Sequence, residues 1–148
     1  MTAANIAVLT LVAFLVLKSR KTPELKKTLP KAVVFSFLTA LIADAAALLF
    51  RFLPTLAELT LRLCGAEKAA GWLAKYVSDF TWYEIWAWWN PIGLPWTIAS
   101  IVIGGFVAFA LNHWVFLKKL IPDRKTRLVL SILLGVFSAP YTWTNPVW

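Results

Sequence analysis

Apolar stretches separated by two short basic segments and one long mixed segment make up the chain. The second stretch, residues 32–52, is interrupted only by Ser36, Thr39, Asp44 and, near its end, Arg51. About twenty apolar residues rising 1.5 Å each cross the roughly 30 Å hydrocarbon core of a bilayer. This stretch therefore predicts a transmembrane helix that carries a carboxylate near its middle.

The other apolar stretches predict three further spans. Residues 1–17 lack the basic start of a signal peptide and lead into basic residues instead of a cleavage site, so we expect a first, uncleaved helix. Residues 96–117 form the third predicted span, with Pro95 where a helix begins. The fourth covers residues 128–147, and Pro140 predicts a kink within it. The predicted fold class is all-α: one polytopic membrane domain, a bundle of four transmembrane helices with short extracytoplasmic interfacial helices.

The long segment 53–91 is balanced in charge and too polar to span. Its apolar residues recur at helical spacing, which predicts short amphipathic helices with their apolar faces in the bilayer surface. Small helices packed on protein instead of lipid fit the same pattern. Glu58 and Arg62 stand four residues apart in the order that favours an ion pair. The last helix carries the expected interface with lipid or a partner: Trp82, Trp86 and Trp89.

Two short linkers hold most of the positive charge and predict the topology. Residues 18–31 carry six Lys or Arg and residues 118–127 carry five, against one acid in each. The positive-inside rule places both linkers in the cytoplasm, with both termini and segment 53–91 outside the plasma or inner membrane. We expect Pro23 and Pro30 to stop any continuous helix through the first linker.

Composition excludes several classes of protein. A content of 60% hydrophobic residues in 148 and a mean hydropathy of +0.72 exclude an ordinary soluble globule. The net charge of +8 sits in the linkers, so we expect membrane lipid as a partner and no nucleic acid. The single cysteine, Cys64, excludes an intramolecular disulfide and a cysteine-based metal site. We expect no cofactor.

Small residues predict which helix faces meet, because apolar helices in lipid associate through close packing and polar contacts. Each predicted span has such a face, and we expect the four faces to meet inside the bundle. They are Ala3, Ala7 and Thr10; Ser36, Ala40 and Asp44 flanked by Ala43 and Ala47; Ser100, Gly104, Ala108 and Asn112; and Ser131, Gly135, Ser138 and Thr142.

Candidate binding chemistry is confined to Asp44, Asn112 and His113. By helical rise Asp44 lies about 18 Å from the cytoplasmic end of its helix, where a carboxylate costs at least about 2.5–3.5 kcal/mol. It is therefore expected to be protonated, paired or facing water, either as a proton or substrate site or as a neutral hydrogen-bonding group. His113 and Asn112 lie about 7–9 Å below the cytoplasmic surface.

His113 is the only histidine, and one histidine without other ligands cannot form a metal site. We expect it to hydrogen-bond at the interface, with axial ligation of haem or chlorophyll as the alternative. The sequence has no glycine-rich phosphate loop, no Ser/His/Asp set and no suitably spaced carboxylate pair. Enzymatic activity is therefore not expected.

One helix ending resembles a known family. A basic-flanked helix with an Asp near its middle, followed later by a helix ending FALNHWVF at residues 109–116 before a basic linker, resembles the GtrA-like family. Those small polytopic membrane proteins close a helix with Asn, Trp and Phe just before basic residues. The Asn–Trp spacing in this chain is one residue shorter. The resemblance implies a role in moving polyprenyl-phosphate-linked sugars across a membrane for cell-surface glycosylation.

Three functions are considered, of which a membrane enzyme acting on lipid has no catalytic set to support it. The sparse polar inventory and the aromatic outer segment favour a non-catalytic subunit or assembly factor of a larger membrane complex, with other subunits or further copies of the chain as partners. Asp44 and the family resemblance favour a small transporter or flippase that handles a lipid-linked sugar or another small substrate.

Overall fold

The computed structural model describes residues 3–22, 24–78 and 93–138, and every regular element in these ranges is helical. The elements are α1 (Ala3–Ser19), α2 (Leu25–Leu63), α3 (Glu67–Leu73), a π-helix (Ala74–Ser78), α4 (Gly93–Ala110), a second π-helix (Leu111–Phe116), α5 (Leu117–Leu120) and α6 (Arg124–Ser138). The predicted all-α class is thereby confirmed for the described ranges.

Two helical stretches are long and apolar enough to cross a bilayer. They are α2 and the stretch Leu94–Leu120, which joins α4, the second π-helix and α5. The apolar helix Ile6–Ser19 at the start of the chain is shorter. Length and composition of these helices are compatible with a membrane protein.

Packing divides the chain into two compact units. The first unit contains the described residues up to Ala46 and those from Ile103 onward, and the second contains the described residues between Ala47 and Val102. The basic linkers, Asp44 and the Asn112-His113 pair all belong to the first unit.

Helix α2 is longer than the predicted span at both ends. It begins at Leu25 and continues through Pro30 and Pro54 to Leu63, so the prediction that Pro30 stops the helix is wrong. Pro30 is the sixth residue of α2, and its missing N–H removes one hydrogen bond near the helix start without removing those on either side. Pro23 lies outside the described residues. Residues 53–63, expected as a separate short helix, continue α2.

The end of α2 is set by Gly65. Its φ of 76° is a left-handed conformation that glycine adopts without steric cost. The Gly65 N–H donates to the Arg62 carbonyl at 3.0 Å, and the Ala66 N–H donates to the Leu61 carbonyl at 2.9 Å. This pair of bonds is a Schellman motif, which satisfies the last carbonyls of the helix. The predicted Glu58–Arg62 pair is confirmed, with Arg62 Nη2 at 3.0 Å from Glu58 Oε1.

The apolar core of the first unit joins α1 to α6. Leu9, Ala13 and Leu17 on α1 and Leu130 and Leu134 on α6 are buried in one cluster. The predicted small-residue face of α1 is wrong: Ala7 is exposed, and the half-buried Thr10 donates its hydroxyl to the Ile6 carbonyl at 2.7 Å. The physical reason is that leucine side chains packed against α6 make more van der Waals contacts than alanine or threonine can.

The small-residue faces of the later helices are buried as predicted. The buried members are Ser36, Ala40, Ala43 and Ala47 on α2; Ser100, Gly104, Ala108 and Asn112 on the stretch beginning with α4; and Ser131, Gly135 and Ser138 on α6. Thr142 lies outside the described residues. A methyl group added at Gly135 would lie 2.9 Å from the Gly105 carbonyl oxygen, so α6 meets α4 at backbone contact.

Candidate functional site

Asn112 and His113 lie in the second π-helix, Leu111–Phe116. Both side chains are buried, at 0% and 7% relative exposure. Short π-helical segments within α-helices occur frequently at functional sites. The sequence placed these residues near a helix end but contained no signal for the π-helix.

A hydrogen-bonded chain ties Asn112 to α2. The Asn112 amide Nδ2 donates to Thr39 Oγ1 at 3.0 Å, and the Thr39 hydroxyl donates to the Ser36 carbonyl at 2.9 Å. The Ser36 hydroxyl in turn donates to the Ala32 carbonyl at 2.7 Å. Sequence reasoning noted Thr39 only as an interruption. Its position three residues after Ser36, hence on the same helix face, was the available signal.

His113 is held among aromatic rings and against α6. Its imidazole stacks on Phe109 with centroids 5.6 Å apart and lies edge-on to Trp114 at 5.8 Å. The backbone of Arg127 on α6 lies near the ring. Ser131 follows one helical turn later on α6, and its hydroxyl is buried.

Three polar atoms in this region have no hydrogen-bond partner among the described residues: Asn112 Oδ1, His113 Nδ1 and Ser131 Oγ. Together with Thr39, these residues form what we call the π-turn cluster. Buried polar groups are normally paired, because an unpaired one costs roughly 1–3 kcal/mol. The cluster therefore offers hydrogen-bonding capacity that this part of the chain does not use.

Asp44 is separate from the π-turn cluster. It is half-buried on α2, and no described residue donates a hydrogen bond or forms an ion pair with its carboxylate. Five residues separate it from Thr39, which places it about 7.5 Å further along α2 and about 140° around the helix. The three sequence-predicted binding residues are therefore not brought into one hydrogen-bonded site.

The remaining sequence predictions concern the tryptophan interface, metal binding and the single cysteine. Trp82, Trp86 and Trp89, the predicted interface, lie outside the described residues. Within the described ranges, no group of three His, Cys, Asp or Glu side chains could hold a metal ion. Cys64 is a free, exposed thiol just beyond the end of α2.

The two basic linkers are neighbours at one end of the first unit. Arg20 and Thr22 from the first linker line a pocket of about 370 Å³ with Pro122, Asp123 and Thr126 from the second. This contact supports the expectation that both linkers lie on the same side.

Asp123 caps α6 at this end. Its Oδ2 accepts hydrogen bonds from the Thr126 hydroxyl and from the Thr126 N–H, the latter at 2.9 Å. These bonds hold the pKa of the Asp123 carboxyl below its usual value, with smaller contributions from the Lys125 N–H and the charge of Arg20. The sequence showed an acid in this linker, and only the structure identifies it as a helix cap.

The resemblance to the GtrA-like family rests on the ending of residues 109–116, which spans the end of α4 and the second π-helix. Membership of that family stays a hypothesis. No protein-family model, no curated protein and no solved structure matches this chain.

Proposed function

We propose that this chain is a four-span integral membrane protein that acts as a non-catalytic subunit or assembly factor of a larger membrane complex. In this proposal α1 and α6 contribute the two spans beyond the two long apolar helices. Both basic linkers face the cytoplasm, and both termini lie outside the plasma or inner membrane. The neighbouring position of the linkers and the length of α2 support this arrangement.

The observation that carries the proposal is the position of Asp44. It lies thirteen residues after Lys31 and seven before Arg51, about 20 Å and 10 Å along α2 by helical rise. A carboxyl group in the apolar part of a span is costly unless a polar group pairs with it. No described residue supplies that pair. A helix of another subunit does, since polar contacts across helices are a principal source of association in lipid.

Purification of the tagged chain in mild detergent tests the proposal. Wild type and Asp44→Asn should retain a stoichiometric, unlike partner, because asparagine keeps a neutral group that donates and accepts hydrogen bonds. Asp44→Leu should lose the partner. The matched control is Ala45→Leu, which adds apolar bulk at the neighbouring exposed position and should retain it.

A small transporter or flippase is the second candidate, and the π-turn cluster is the observation that favours it. Unpaired polar atoms inside a membrane bundle are what a passing polar substrate would bind. A chain that purifies alone or only as a homo-oligomer would contradict the subunit proposal and favour transport. Full partner retention by Asp44→Leu would contradict the role given to Asp44.

A further inference from the structure

An open groove lies between α2 and the helical stretch that follows Asn112. It has a volume of about 600 Å³ and is lined by Lys31, Phe35, Val115, Phe116, Lys119 and Leu120. All six residues belong to the first unit. We refer to it as the two-lysine groove.

The wall of the two-lysine groove is apolar and the two cations are exposed. Phe35 and Phe116 stack with ring centroids 5.1 Å apart and are half-buried. Lys31 and Lys119 are exposed, and neither forms an ion pair with a described residue. Such a groove fits a ligand with one anionic end and one apolar body.

The acidic residues nearest in sequence to Lys31 and Lys119 form contacts outside the groove. Glu24 pairs with Lys27 at 3.3 Å, and Asp123 caps α6. No carboxylate of the described residues lines the groove. The linkers on both sides add further Lys and Arg, so an anion in the groove meets positive charge without competition from an acid.

Large apolar side chains continue next to the groove along both helices. On α2, Val34 and Leu38 are 56% and 41% exposed. On the second π-helix, Trp114 is 58% exposed beside Val115, which lines the groove. In a chain that crosses a membrane these surfaces face acyl chains. Tryptophan also prefers the headgroup level, which places the groove at the membrane surface.

We propose that the two-lysine groove binds one anionic phospholipid, with Lys31 and Lys119 on its phosphate and an acyl chain against Phe35 and Phe116. Basic pockets between transmembrane helices on the cytoplasmic side are suited to anionic headgroups. This inference requires membrane insertion of the chain but is independent of its role as a subunit or a transporter.

Titration of lipids into the full-length, detergent-purified chain, read out by native mass spectrometry, tests the proposal. The probes are dioleoylphosphatidylglycerol, dioleoylphosphatidylcholine with identical acyl chains, and inorganic phosphate. We expect one tightly retained phosphatidylglycerol, weaker phosphatidylcholine binding and no competition by millimolar phosphate. The double variant Lys31→Gln/Lys119→Gln should bind phosphatidylglycerol about thirtyfold more weakly, which corresponds to about 2 kcal/mol at 1.4 kcal/mol per factor of ten.

The control variant is Lys26→Gln/Lys125→Gln, which removes the same charge from exposed linker positions outside the groove. It should bind phosphatidylglycerol within about threefold of wild type. Equal weakening by the two double variants would overturn the proposal, because net charge alone would then explain binding. Equal binding of the two lipids, or displacement of phosphatidylglycerol by inorganic phosphate, would also overturn it.

Discussion

Gly135 lies where α6 packs closely against α4. A methyl group at this position would meet the Gly105 carbonyl oxygen at 2.9 Å and Phe109 Cβ at 3.1 Å. Backbone cannot move aside as a flexible side chain can, so we expect Gly135→Ala to lower the free energy of unfolding by about 1–3 kcal/mol. Thermal unfolding in a single detergent, followed by circular dichroism, measures this change.

Gly71 provides the matched control for this prediction. It lies inside α3, and a methyl group added there would have no neighbouring atom within 4 Å, so Gly71→Ala should be neutral or stabilising by about 0.5–1 kcal/mol. Equal losses at both glycines would contradict the close contact at Gly135. The sequence predicted that Gly135 is buried, from its spacing with Ser131. It could not identify Gly105 as the facing residue, because small residues at helical spacing define a face and not its partner.

Helix α2 shows that residue type alone does not determine where a helix ends. Proline usually ends a helix, and this expectation failed at Pro30; Pro54 likewise lies inside the same helix of 39 residues. At Gly65 the residue type and the structure agree, because the Schellman bonds there require a positive φ. The second π-helix, Leu111–Phe116, was not predicted from the sequence.

The cap of α6 leads to a prediction with a defined pH dependence. Because hydrogen bonding lowers the pKa of Asp123 in the folded chain, its stabilising effect is present above the unfolded value of about 3.9. That effect is lost as the pH falls through the lower folded value. Asp123→Ala should therefore lower the melting temperature at pH 7, and the difference from wild type should shrink as the pH is lowered below the unfolded value.

Asp123→Asn separates charge from capping. Asparagine still accepts a hydrogen bond from the Thr126 N–H, so its melting temperature at pH 7 should lie between those of wild type and Asp123→Ala. Melting curves recorded from about pH 7 to about pH 3 make the comparison. A constant gap between wild type and Asp123→Ala over this range would mean that the ionised carboxylate is not what stabilises α6.

Across the whole chain, the hydrophobic pattern predicted the helical class, and the charge of the two linkers predicted that both lie on the same side of the membrane. Neither pattern predicted the division into two compact units. Counting by helical rise did place Asp44 deeper than Asn112 and His113. Depth along a helix can be counted from the sequence, whereas rotation about the helix axis relative to a partner depends on packing. The hydrogen bond from Asn112 to Thr39, which was not predicted, depends on that rotation.

Cys64, just beyond the end of α2, is a native probe of the membrane topology. At 1.5 Å per residue the 39 residues of α2 rise about 58 Å, more than the thickness of a bilayer, so the two ends of the helix should lie on opposite sides of the membrane. Lys26 is at the basic end and the exposed thiol of Cys64 follows the other end.

In intact cells a membrane-impermeant maleimide should label wild-type Cys64. In a Cys64→Ser background, Lys68→Cys should label as well, while Lys26→Cys and Lys125→Cys should label only after lysis. Labelling of Lys26→Cys before lysis would show that the orientation is the reverse of the one proposed. Opposite results for Lys26→Cys and Lys125→Cys would contradict the placement of both linkers on one side, which the pocket shared by Arg20 and Asp123 supports.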